Sequence, residues 1–253
     1  MSAPRQEEWR ERLDAFARAT PDLVRRRELG RRSDSKFVLT PRAAGELIAG
    51  LGHAYAVLPA GDELLAAYRT LYFDTPELDL YHDHRRGRRI RHKVRIRHYP
   101  DRRVSRLEVK TRRSALETTK SWRERAYGDE ALTPDDHAFV ARLIGIARPL
   151  IPQAWTSFRR LTLLGLGTRE RVTLDLDLRV GRGAEARVLE GIAIVEIKQW
   201  PYCRATPAME ALRRAGHRPA WASKYCSAIA FTHPGVPVDG LLPGLRILTL
   251  GAA

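Results

Sequence analysis

The sequence predicts an α+β fold in which long antiparallel strands close into a barrel with a charged interior, with helices packed on its apolar exterior. Three observations predict it. Arg89-Ile90-Arg91-His92-Lys93-Val94-Arg95-Ile96-Arg97 carries a cation at every second position. A strand sends successive side chains to opposite faces, so those cations share one face while Ile90, Val94 and Ile96 share the other. The same sidedness recurs elsewhere. Arg171, Thr173, Asp175, Asp177 and Arg179 alternate with Val172, Leu174, Leu176, Leu178 and Val180; Arg106, Glu108 and Lys110 alternate with Leu107 and Val109; and Arg32, Asp34 and Lys36 fall on one side. Finally, 253 residues at 43% hydrophobic content suffice to bury a sizeable core. A flat antiparallel sheet with one solvated face is the plainer alternative. Solvated faces intermix charge signs, however, and here cations recur on one face strand after strand, which favours an enclosed channel.

In chain order, residues 4–28 read as a helix with Trp9, Leu13, Phe16 and Ala17 on one side. A strand follows at 32–39, then a helix over 41–51 opened by Pro41. Strands are predicted at 67–74, 88–99, 104–111 and 120–127, a helix at 134–146, and strands at 154–164, 168–180 and 188–199. Gly181-Arg182-Gly183 marks a hairpin connection. Helices at 206–216 and 221–230 close the pattern. This gives an N-terminal amphipathic helix (1–30), a strand-rich domain (31–232) and an unassigned Pro-, Gly- and Leu-rich tail (233–253).

The balance of 45 Lys and Arg against 30 Asp and Glu, a formal net charge of +15, draws phosphate-rich partners. The preference for arginine favours bidentate recognition of phosphate. Cys203 and Cys226 form neither a CxxC pair nor a zinc spacing and read as unpaired thiols. No run approaches the roughly 18 apolar residues of a membrane span, and no leader pattern is present. The expectation is a soluble cytoplasmic protein, with a peripheral membrane partner left open. No GxxxxGK[ST] occurs, which excludes a P-loop enzyme. His82-Asp83-His84 reads as a solvated polar connection. Trp122, Trp155, Trp200 and Trp221 are dispersed, without an RNP-type motif, and read as core or rim packing, so no specific nucleic acid is expected.

Glu108-Val109-Lys110 and Glu196-Ile197-Lys198 each put a carboxylate and an ammonium on one strand face. A carboxylate among many cations must pair or hold metal. One or two carboxylates, a divalent cation and a wall of Lys and Arg are what a triphosphate requires. Asp34-Ser35-Lys36-Phe37, Leu71-Tyr72-Phe73-Asp74-Thr75-Pro76, Lys93-Val94-Arg95-Ile96-Arg97, Leu107-Glu108-Val109-Lys110, Lys120-Ser121-Trp122-Arg123-Glu124-Arg125, Arg171-Val172-Thr173-Leu174-Asp175, Val195-Glu196-Ile197-Lys198 and Ser223-Lys224-Tyr225 follow one another in this order. In this the chain resembles the VTC (vacuolar transporter chaperone) polyphosphate polymerase domain, a branch of the triphosphate tunnel metalloenzymes.

The resemblance implies an eight-stranded tunnel, ATP or another triphosphate as donor, Mn²⁺ or Mg²⁺, and a polyphosphate chain threaded through the pore. It implies catalytic roles for Arg95, Arg97, Lys110, Arg160 and Arg171 and phosphate contacts for Lys36, Arg123, Lys198 and Lys224, which Arg32 and Lys93 join. Glu196 is the implied main metal ligand, with Glu108 beside it. Asp34 stands where the family has Glu, and Arg123 where it has Lys. A hydrolase of the same fold and a non-enzymatic polyphosphate or nucleic-acid binder are the alternatives, and the two carboxylates favour an enzyme. The stripe itself predicts mutual repulsion, so that removing Arg95 or Arg97 leaves stability unchanged or raised.

Overall fold

The computed structural model describes residues 6–28, 32–114, 117–145, 148–181, 186–220, 222–241 and 245. The chain opens with α1 (Gln6–Leu13), β1 (Ala17–Arg18) and α2 (Pro21–Arg26). The single helix expected over 4–28 is therefore two. Thr20 ends the connection by accepting a hydrogen bond from Leu23 N, and Pro21 occupies the first helical turn, where its missing N–H costs nothing. Of the expected apolar side Trp9, Leu13 and Phe16 are buried, whereas Ala17 falls on β1 and is exposed. Next come β2 (Ser33–Leu39), α3 (Pro41–Ala49), β3 (Tyr55–Val57), β4 (Ala66–Asp74), α4 (Asp79–Arg85), β5 (Arg91–Tyr99), β6 (Val104–Arg112), β7 (Thr118–Arg125), α5 (Pro134–Ile144), β8 (Ile151–Gly165), β9 (Glu170–Gly181), β10 (Arg187–Val188), β11 (Ala193–Gln199), α6 (Pro207–Arg214) and α7 (Lys224–Thr232). The connection at 182–183 and Trp221 lie outside the described residues, as does most of the tail. No described helix is long and apolar enough to cross a membrane.

Eight strands follow one antiparallel path, β2-β11-β9-β8-β4-β5-β6-β7. Among the described residues its two ends, β2 and β7, are not joined by hydrogen bonds. The expected tunnel of eight antiparallel strands with helices outside is thus found, with a seam between β2 and β7 that no hydrogen bonds close. β7 suits that edge, since Thr118-Thr119-Lys120-Ser121-Trp122-Arg123-Glu124-Arg125 is polar and charged and discourages pairing with another chain.

The convex face is apolar. Phe37, Leu39, Leu161, Leu163, Val172, Leu174, Val195 and Ile197 pack with Trp9, Leu47, Ile48 and Leu212 of α1, α3 and α6. Leu71, Val94, Ile96, Leu107 and Val109 share a second core with Val140 of α5. Helix α7 also reaches the concave side. Its Tyr225 ring lies 5.2 Å from that of Tyr72, which pairs with Arg95 across β4 and β5, so α7 covers one end of the channel.

Candidate functional site

Register decides which side chains meet. Directly opposed residues of an antiparallel pair share a face. Arg91, Lys93, Arg95 and Arg97 of β5 stand opposite Arg112, Lys110, Glu108 and Arg106 of β6. Lys110 and Glu108 in turn stand opposite Lys120 and Trp122 of β7. On the other wall Arg160 faces Asp175, Glu196 faces both Thr173 and Lys36, and Lys198 faces both Arg171 and Asp34. Arg32, just before β2, pairs with Asp34 at 3.0 Å. Lys36, Lys93, Arg95, Arg97, Lys110, Arg160, Arg171, Glu196 and Lys198 therefore line one concave surface, and Lys224 enters it from α7. Arg160 and not Arg159 reaches the site. The strand is bulged between Ser157 and Arg159, and Arg159 turns to Asp177 instead, at 2.5 Å.

Arg123 does not line this surface. It stands opposite Leu107 on the convex face, donates to the Asp135 carbonyl of α5 at 3.3 Å and lies 3.6 Å from Asp136. One residue of register separates it from Lys120 and Trp122, and a period of two sends it outward. Lys120 supplies the β7 cation instead. The stripe is also shorter than expected, because β5 begins at Arg91 and Arg89 precedes it.

The central cations are paired. Arg95 binds Glu108 at 2.6 Å, Lys120 binds the other Glu108 oxygen, and Tyr99 donates to it at 3.1 Å. Burial pushes the Glu108 carboxyl up, but Arg95, Arg97 and Lys120 outweigh it and hold it well below the usual carboxylate range. Expected relief of repulsion on removing Arg95 is thus corrected: this arginine neutralises a buried carboxylate. Asp175, which sequence reasoning did not single out, holds Arg160 through two bonds of 2.5 and 2.8 Å and also pairs with Lys224. Burial opposes its charge, and Arg160 and Lys224 prevail, holding it at about 2. These cations rest on aromatic rings. Tyr68 and Phe158 stack at 5.1 Å; Arg97 lies 5.1 Å from the Tyr68 ring, and Lys224 lies 4.7 Å from that of Phe158.

Toward the Arg91 end the lysines are not neutralised. Lys36 donates to the Ala222 carbonyl at 2.7 Å and Lys93 to the Ser223 hydroxyl at 2.8 Å, both neutral partners. Lys110 has no carboxylate within ion-pair distance among the described residues. Burial and mutual repulsion push Lys93 down to about 8 and Lys110 down to about 7. The three surround a cavity of about 360 Å³. His84, expected in a solvated connection, sits on α4 beside this cavity and donates from Nε2 to the His92 carbonyl at 3.0 Å. Burial and the nearby Lys93 push its pKa far down, so it stays neutral.

Among the described residues no three His, Cys, Asp or Glu side chains gather to hold a metal ion. Glu108 is saturated by its three partners and does not fit a metal. Among the described residues Glu196 forms an ion pair with Lys198 alone, on the same strand, and faces the channel. Burial raises its carboxyl, but Lys198, Lys36 and Arg160 keep it ionised. One carboxylate in a cationic wall fits a divalent cation that arrives on a triphosphate and takes most of its ligands from phosphate oxygens.

A candidate adenylate cyclase from Bacillus halodurans superposes with a TM-score of 0.51 at 14% identity, over 77% of this chain and 95% of its own, a likeness of fold. A candidate adenylyl cyclase from Hippeastrum, with a dominant triphosphatase activity, gives a TM-score of 0.49 at 15% identity over 82% and 99%. No curated protein matches the chain. Residues 31–233, which hold the whole path of strands and α7, match the VTC domain. The chain belongs to the VTC domain family, which supports a polyphosphate-related function.

Proposed function

We propose that the protein is a polyphosphate polymerase that transfers the γ-phosphoryl group of a nucleoside triphosphate to the end of a polyphosphate chain. One observation carries this reading: the concave surface holds two kinds of cationic station in series. Arg95, Arg160 and Lys224 are pre-neutralised by Glu108 and Asp175, which holds them in place for a donor. Lys36, Lys93 and Lys110 ring a cavity that Asp34 also lines, yet among the described residues none of the three forms an ion pair with a carboxylate, and together they call for a further anion. A hydrolase needs only the first station.

Phosphoryl transfer asks for positioning and charge stabilisation more than for covalent machinery. An anionic terminal oxygen of the chain attacks the γ-phosphorus, the bond to the β,γ-bridging oxygen breaks, and the nucleoside diphosphate leaves with that electron pair. No proton moves, so no general base is needed, in keeping with a neutral His84 turned to a carbonyl. Arg95, Arg97 and Arg160 orient the γ-phosphoryl oxygens; Lys36, Lys93 and Lys110 orient the acceptor. Glu196 would hold Mn²⁺ or Mg²⁺ on the triphosphate, where the ion draws charge from the phosphate oxygens.

The test is incubation with ATP and Mn²⁺, with and without a short polyphosphate primer, followed by separation of long polyphosphate from orthophosphate. Long chains and a lag shortened by primer are expected. Orthophosphate as nearly the whole product under all conditions would replace the polymerase with a triphosphatase.

A further inference from the structure

We propose that Trp122 and Arg106 form a nucleobase seat at the open seam of the channel, so that the donor is held by its base as well as by its phosphates. The proposal rests on the triphosphate-donor reading above and adds a subsite to it. Trp122 is 47% exposed, although its strand position, opposite Glu108, turns it toward the concave face. An indole left in water contributes little to folding, and here no strand beyond β7 covers it among the described residues. Arg106 backs one face of the ring, its guanidinium 4.1 Å from the indole centroid and 5.8 Å from that of Tyr99, and Glu124 holds it at 3.4 Å. The other indole face is the one left for a base.

Beside the carboxylates Glu108 and Glu124, the concave face carries cations suited to phosphate. Lys120 lies two residues along β7 on the same side, about 6.6 Å away by strand rise, and it shares Glu108 with Arg95. A base stacked on Trp122 would leave its ribose over the rim and direct its phosphates to Lys120, Arg95 and Arg97. The seat offers stacking and charge but no fixed pair of donor and acceptor aimed at a base edge. It should take purines over pyrimidines, through their larger π surface, and distinguish adenine from guanine little.

The test compares ATP with inorganic tripolyphosphate, which has the phosphates without the base. Trp122→Ala is expected to raise the KM for ATP about tenfold, within the range for loss of a base–aromatic stack, and to leave that for tripolyphosphate within about twofold. Trp122→Phe should keep most of the ATP affinity. Equal losses for both substrates, or no loss for ATP, would overturn the seat and leave Trp122 as rim packing. Because turnover itself depends on the parent reading, intrinsic fluorescence supplies a second readout. ATP should quench a component present in the wild type and absent from Trp122→Phe, and tripolyphosphate should not. Quenching of that component in a protein that turns over neither substrate would retain the seat while rejecting the polymerase. The absence of such a component would reject the seat whatever the activity.

Discussion

Asp175 is the residue that ties Arg160 and Lys224 together in the proposed donor station. Its carboxylate is 1% exposed and holds both Arg160 and Lys224, which come from different elements. Replacing it with Asn keeps the shape and leaves two cations without a counter-charge. The expected cost is about 3 kcal/mol, as for breaking a buried pair, with most turnover lost; urea denaturation and a turnover assay check this. A loss below about 1 kcal/mol with normal activity would show that Asp175 is dispensable. Arg95→Ala should destabilise by less than the roughly 3–5 kcal/mol of an orphaned buried charge, since Lys120 and Tyr99 still attend Glu108. Lys93 and Lys110 make a prediction about pH. Their folded pKa values, about 8 and about 7, lie below the ordinary lysine value. Between about pH 7 and the ordinary lysine range near 10.4, the unfolded chain binds more protons, so the ligand-free protein should gain stability as pH rises through that window. Polyphosphate affinity should move the opposite way, weakening above pH 7 as the lysines lose charge. Calorimetry in buffers of different ionisation enthalpy should detect proton uptake on binding.

At the scale of elements, the motifs divide into those that line the channel and those that aim the lining. Asp74, at the end of β4, accepts hydrogen bonds from Thr75 N, Leu80 N and Tyr81 N, and so caps α4, whose first turn has no side-chain cap of its own. The same carboxylate receives the Tyr225 hydroxyl of α7. Burial lifts Asp74 to about 6 despite these donors. Asp74 thus ties α4 to α7, the helix that presents Lys224. Tyr225→Phe should cost about 1.5–3 kcal/mol, the range for a hydrogen bond to a charged group, visible as a lower melting temperature. It should also lower kcat through a displaced Lys224. An unchanged melting temperature would mean that the tie is not energetic. β7 offers a separate test of register. Lys120→Ala should raise the KM for a triphosphate several-fold. Arg123→Ala should leave turnover within twofold and cost at most about 1 kcal/mol, as expected for a half-exposed ion pair. The reverse pattern would put β7 one residue out of register.

For the whole molecule, the net charge of +15 and the concentration of cations on one concave face make association with polyanions depend on screening. Polyphosphate binding should weaken steeply with added salt. The slope should steepen with chain length until the channel is filled and then level off, because only phosphates inside the channel release counter-ions. A titration series over chain lengths at several salt concentrations measures this. A slope that keeps growing with length would indicate binding along the outer surface. Tripolyphosphate should also raise the melting temperature by binding only the folded state.

Alternation alone determined a great deal: which residues of β5, β6, β9 and β11 face inward, that the inner face is cationic, and that the outer face forms the core. Those properties are local, since a period of two is set by backbone geometry wherever the strand continues. Ordered motifs added the family and nearly the whole channel lining. What the sequence alone left unresolved depended on partners far away in the chain. Arg123 and Lys120 are three residues apart, and only the pairing of β7 with β6 shows which one faces the channel. Arg159 and Arg160 are distinguished by a bulge opposite β9. Asp175 reads as one polar residue among several until the fold brings Arg160 and Lys224 to it. The helix expected over 4–28 ends at Leu13, and a second begins at Pro21 under the Thr20 cap, which the broader apolar period obscured. Pairing, bulges and long-range ion pairs are properties of the assembled sheet, so only the tertiary structure decided which charges are neutralised and which remain to receive a ligand.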